Sequence, residues 1–243
     1  MKNLFSLRPR AAAACLLLAL RRYWLRALCS LLASLLTGPA AHALQGNDNC
    51  HDPSTIIKEG GKYWIFTTGT DIYAMYSTDL VNWQSGPKSV FNGVQPSWIT
   101  GRVPGFDRTK DTYWAPECVY RNGKFYWFVA TFHKKDENSQ GGSAIGLATN
   151  ATLDPTSPNY QWVDQGEVVS TSSSSAENAI DPAISTDASG KLWMSYGSFF
   201  KGIKLIQLDP STGKRLGTSS YWLAGNVAAD GTTRNGSGSE ASY

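Results

Sequence analysis

HDPSTIIKEGGKYWIF, residues 51–66, holds a Pro-led opening, a short apolar segment, a turn ending in Gly61-Lys62 and a run of aromatics. The same order returns in YWAPECVYRNGKFYWF (113–128) and IDPAISTDASGKLWMS (180–195), and the three align without a gap. Gly61-Lys62, Gly123-Lys124 and Gly190-Lys191 then read as hairpin turns, where glycine supplies a positive φ. A third strand follows each hairpin, at 72–79, 144–150 and 203–209. In the first two units a Trp closes the segment, in DLVNWQ (79–84) and NYQWVDQG (159–166), as suits a fourth, outer strand. Four-stranded meanders at a regular interval are the signature of β-propeller blades. The expected fold is all-β, with about three blades and the start of a fourth, and with Tyr63, Trp64, Phe66, Phe125, Tyr126, Trp127 and Trp193 packed between blades.

Residues 1–43 read differently. They hold Lys2, Arg8, Arg10, Arg21, Arg22 and Arg26 and no acid, then an apolar run from Ala27 to Leu36, then Gly38, Pro39 and Ala41-His42-Ala43. That pattern fits a signal peptide with an A-x-A cleavage site, leaving 44–243 as the propeller domain. LRRYWLR (20–26) also resembles a twin-arginine export signal. A spanning helix needs about 20 consecutive apolar residues, and the arginines interrupt the run. The expected location is periplasmic or extracellular, with no membrane contact after cleavage.

The whole chain has 22 basic and 19 acidic residues. Without the six leader bases, 16 basic residues face 19 acidic ones. No clustered basic face is left for nucleic acid. Cys50 and Cys118 remain after cleavage, too few for a disulfide framework or a zinc site. Their offset of six residues on parallel inner strands is about 20 Å at ~3.3 Å per residue, so no bridge is expected.

In the repeat frame Asp52 corresponds to Trp114 and Asp181, at spacings of 62 and 67, and a further step of 59 reaches Glu240. Equivalent positions near the starts of innermost strands meet at one end of a propeller channel. Asp-Pro often begins a turn, which explains either aspartate alone. Three acids in one phase, with a Trp, fit glycoside hydrolysis better. One acid protonates the leaving oxygen, a second carboxylate activates water, and an indole offers a flat face to a sugar ring.

HDPS (51–54), YWAPE (113–117), NAIDPA (178–183) and SEASY (239–243) together resemble glycoside hydrolase family 43, closest to its endo-1,5-α-L-arabinanases. The resemblance covers the chain from about Asn49 onward. It implies a five-bladed propeller, so that this chain, ending at Tyr243, is a fragment or a truncated form. It also implies inverting endo-hydrolysis of α-1,5-L-arabinofuranosidic linkages in arabinan. Asp52 matches the general base, Glu240 the general acid, and Asp181 the acid that raises the pKa of Glu240 and orients it. Trp114, Ser143, Asn178, Ala179, Ile180, Ser198, Phe199 and Phe200 match the substrate cleft. His51 is a further candidate contact, with its ring expected to point away from Asp52 if the local strand alternates. No metal ligand is identified in this chain, and calcium is expected only in a full-length enzyme. The expected partner is a polysaccharide, and the expected state a monomer. The alternatives are an exo-acting α-L-arabinofuranosidase or β-xylosidase of the same family, and a sugar-binding propeller without catalysis. Chain-length preference stays open.

Overall fold

Three β-meanders follow one another in a computed structural model that describes residues 24, 43–47, 49–70, 73–87, 91, 93–133, 142–175, 177–197 and 202–225. The first comprises β2 (Ile57–Glu59), β3 (Lys62–Thr67), β4 (Tyr73–Ser77) and β5 (Asn82–Ser85), with β1 (Gln45–Gly46) added in parallel along β5. The second comprises β6 (Tyr113–Arg121), β7 (Lys124–His133), β8 (Gly142–Asn150) and β9 (Val163–Thr171). The third comprises β10 (Ala183–Thr186), β11 (Leu192–Tyr196), β12 (Ile203–Leu208) and β13 (Tyr221–Ala224). Within each meander neighbouring strands are antiparallel, so the repeat legible in the sequence is one four-stranded sheet.

The turns fall where the glycines placed them. Glu59 pairs with Lys62, and Arg121 with Lys124, across two-residue turns in which Gly60, Gly61, Asn122 and Gly123 all have positive φ. Both central residues at positive φ define the hairpin turn that matches strand twist. The third loop is longer. There Asp187 Oδ1 accepts from the N–H groups of Ser189 and Lys191, and Gly190 adopts φ 81. The outer strand β13 was not foreseen. Its Trp222 follows a twelve-residue connection, 209–220, as long as the 151–162 connection that precedes β9.

Strand β7 explains why FYWFVA lacks a polar face. Phe125, Trp127 and Val129 enter the core shared with the first sheet, beside Trp64, Phe66 and Trp162. Tyr126, Phe128 and Ala130 enter the core shared with the third, beside Met194, Ile206 and Leu208. A strand buried on both faces reads as a continuous apolar run. A short helix, α1 (Ser97–Arg102), joins the first two sheets and sends Trp98 across Gly146, where a Cβ would stand 2.2 Å from the indole.

Two of the aromatics expected between blades face away from the cores that the described sheets share. Tyr63 packs with Ile65, Met75 and Trp83 on the other face of the first sheet. Trp193 lies on the far face of the third, stacked edge-on against Tyr221, because Leu192, Met194 and Tyr196 occupy the core face of β11.

Candidate active site

The segments that open the three sheets share one unusual backbone feature. Asp52, Ala115 and Asp181 adopt φ of 48°, 35° and 53°, and each precedes a proline. Left-handed backbone at a non-glycine residue costs on the order of 1–3 kcal/mol and persists only where surroundings impose it. This corrects the repeat frame. The residue equivalent to Asp52 and Asp181 is Ala115, and Trp114 instead matches His51 and Ile180. The second unit is one residue shorter on this stretch: Ala115 stands eight residues before Gly123, whereas Asp52 and Asp181 stand nine before Gly61 and Gly190. Ala115 and Pro116 together oppose Val129 as a bulge, and the one-residue difference in length is invisible to a gapless alignment anchored on the Gly-Lys turns. The ladders agree with the corrected phase, since Thr68 N–H donates to His51 O at 3.0 Å and Gly197 N–H to Ile180 O at 2.8 Å.

Asp52 is half-buried, and Thr68 Oγ1 donates to its Oδ2 at 3.1 Å. His51 Nε2 lies 3.3 Å from the same oxygen. The ring therefore does not point away from Asp52, because the left-handed turn at Asp52 breaks the alternation on which that expectation rested. The preceding loop is tied down by Thr67, whose hydroxyl donates to His51 O at 2.7 Å and accepts from His51 N–H at 3.1 Å.

Two junctions join the sheets at one end of the second sheet, opposite its Asn122-Gly123 turn. Toward the first sheet, Gly69 and Tyr113 exchange backbone hydrogen bonds of 3.1 and 2.8 Å. Toward the third, Ala179 N–H donates to Ser143 Oγ at 2.8 Å and to Thr171 Oγ1 at 3.1 Å, and these hydroxyls lie 2.5 Å apart. Ser143, Asn178, Ala179 and Ile180 are all buried there. Ser143 thus acts on the backbone that leads to Asp181. Asn178 Oδ1 is buried with no hydrogen-bond partner among the described residues. Trp114 and Asp181 are half-buried, and the Trp114 indole donates to Thr112 Oγ1 at 2.6 Å. Glu240, Ser198, Phe199 and Phe200 lie outside the described residues.

Sequence reasoning missed Glu117, although it stands inside YWAPE. It is buried, and its Oε2 accepts from Thr55 N–H and from the Thr55 hydroxyl, both at 3.2 Å. Burial pushes its carboxyl above the ordinary 4.5, while the Thr55 donors pull the other way. A carboxyl that binds its proton more tightly when folded stabilises the protein fully below the unfolded value and loses that contribution as pH rises through the folded one. Glu117→Gln removes the titration, so the melting temperature of the wild type relative to this variant should be higher near pH 4 than near pH 7. Parallel melting curves across that range would exclude the effect.

Cys50 and Cys118 are free, as expected. Among the described residues no three His, Cys, Asp or Glu side chains converge. A cavity of about 880 Å³ beside α1, lined by Arg102, Gly142, Ser170, Thr171, Ser173 and Ser175 among others, contains none of the residues at the three left-handed positions.

The family model "Glycosyl hydrolases family 43" matches residues 46–243. The extracellular exo-α-(1→5)-L-arabinofuranosidase of Cellvibrio japonicus is 39% identical over 189 residues, covering 76% of this chain and 49% of that protein. The extracellular endo-α-(1→5)-L-arabinanase 1 of Bacillus subtilis is 36% identical over 217 residues, covering 84% of this chain and 62% of that protein. The solved endo-arabinanase of Bacillus licheniformis superposes with a TM-score of 0.64 at 36% identity, covering 75% of this chain and 58% of the other. The chain thus spans about half to three fifths of these relatives. The match begins at β1 and runs through every sheet of the meander repeat, and on that ground the chain belongs to glycosyl hydrolase family 43.

Proposed function

We propose that this chain carries the base-bearing part of an exported arabinan hydrolase that cleaves internal α-1,5-L-arabinofuranosidic bonds with inversion. The observation that carries the reading is the pair of half-buried aspartates, Asp52 and Asp181, at the same left-handed, pre-proline position of the first and third sheets. Arabinan-acting relatives above 30% identity support the substrate class. Asp52 takes the proton of a water attacking the anomeric carbon. Glu240 gives its proton to the departing oxygen, and the negative charge of Asp181 keeps Glu240 protonated until that moment. Trp114 serves as the platform for a sugar ring.

The same reading closes the sheets into a five-bladed propeller. Its support is the far face of the third sheet, where Tyr221 is exposed beside Trp193. A further sheet covering that face would bury Tyr221. Export follows from the leader, with cleavage after Ala43, and the extracellular relatives support it.

The exo-acting relative from Cellvibrio favours a second reading, release of single arabinose units. Product analysis on debranched arabinan separates the two. The full-length protein should release a ladder of arabino-oligosaccharides from the first minutes. Arabinose alone would establish exo action. Binding of oligosaccharides with no new reducing ends would replace the enzyme reading with a sugar-binding one.

A further inference from the structure

Thr68 stands between the first two left-handed positions. Its Oγ1 lies 2.7 Å from Ala115 N and 3.1 Å from Asp52 Oδ2. A backbone N–H can only donate, so the hydroxyl oxygen accepts from Ala115, and its own proton is directed at the Asp52 carboxylate. One side chain therefore registers the carboxylate of the first sheet against the backbone of the second.

The repeat shows that the local fold does not demand this hydroxyl. Counted from the Gly-Lys turns, Thr68 corresponds to Ala130 and Gly197. Gly197 N–H makes the same ladder hydrogen bond to Ile180 O that Thr68 N–H makes to His51 O. The backbone contact is thus kept where there is no side-chain oxygen. The hydroxyl occurs only in the sheet that presents Asp52, and it reaches the carboxylate itself.

We propose that Thr68 is a positioning residue for Asp52. It fixes the rotamer of the carboxylate and donates to its ionised form, the form that accepts a proton from water. This rests on the reading of Asp52 as the base. Neither function needs contact with substrate, so the effect belongs in turnover and not in binding.

The test compares Thr68→Val, Thr68→Ser and Asp52→Asn in the full-length protein on debranched arabinan. Thr68→Val should lower kcat about 10- to 100-fold, the range for losing a hydrogen bond to a charged group, with KM changed less than about twofold. Thr68→Ser keeps the hydroxyl and should restore kcat to within about threefold of wild type. If Thr68→Val fails to fold, Thr68→Ala makes the same comparison with the residue the second sheet already carries at this position. An unchanged kcat in the Val or Ala variant, or a Ser variant as slow as either, would overturn the proposal while leaving the base assignment intact. An active Asp52→Asn enzyme would instead remove the base assignment on which the proposal rests.

Discussion

Asp52→Asn should lower turnover of debranched arabinan by about 10³-fold, within the 10²- to 10⁴-fold range for loss of a positioned general base. Asparagine is the informative replacement because of the backbone. Asp52 sits at φ 48, and asparagine tolerates the left-handed region as well as aspartate does. The αL strain, the prolyl residue that follows and the neighbouring Thr67 hydrogen bonds to His51 are all retained. Alanine would add conformational strain to any chemical loss. The amide has nearly the size and shape of the carboxylate, but it cannot take a proton from water. The variant should therefore melt within a degree or two of wild type while losing activity, and the pair of measurements separates chemistry from folding. Turnover within threefold of wild type would remove Asp52 from the mechanism.

The fold was legible where one local rule acted without interference. Gly61, Gly123 and Gly190 each occupy a turn needing positive φ, so their frame survives intact in the structure. The two-sided burial of β7 was legible in FYWFVA for the same reason, since period-2 alternation with no polar face requires two cores. The site was legible in its outline, because Asp-Pro recurs at positions 52 and 181. It was misread at its centre. The second repeat is one residue shorter between its left-handed position and its Gly-Lys turn than the other two, and no residue between Trp114 and Glu117 announces it, since Ala115 carries its positive φ without being Gly, Asn or Asp. The orientation of His51 failed for a related reason: alternation holds along a strand and ends at a left-handed residue. Thr68 and Glu117 act across two sheets, and a pairing of that kind has no local sequence signal. Their hints, a hydroxyl after the aromatic strand and an acid inside an apolar one, become readable only when the sheets are in place.

Trp127→Ala should be the most destabilising single change among the core aromatics, at about 3–5 kcal/mol. The residue is fully buried at the middle of the core between the first two sheets. Its ring centroid lies 6.2 Å from that of Phe66, 5.6 Å from Phe91 and 6.0 Å from Trp162, so truncation strips contacts from the first sheet, the inter-sheet connection and the approach to β9 together. Collapse cannot refill the space, because the opposite face of β7 is fixed by a second core through Tyr126 and Phe128. Against a usual total of 5–15 kcal/mol this is a large share, and at 2–4 °C per kcal/mol for a unit of this size it lowers the melting temperature by about 10 °C. Trp127→Phe separates volume from polarity. It keeps an aromatic ring in contact and removes an indole N–H that is buried without a hydrogen-bond partner among the described residues. An unsatisfied buried donor costs about 1–3 kcal/mol, which offsets part of the lost area. The Phe variant should therefore lose less than half of what the Ala variant loses, by urea titration of both. Equal losses would mean that the indole N–H is satisfied in solution. A loss below about 1 kcal/mol in the Ala variant would mean that the first two sheets do not share this core.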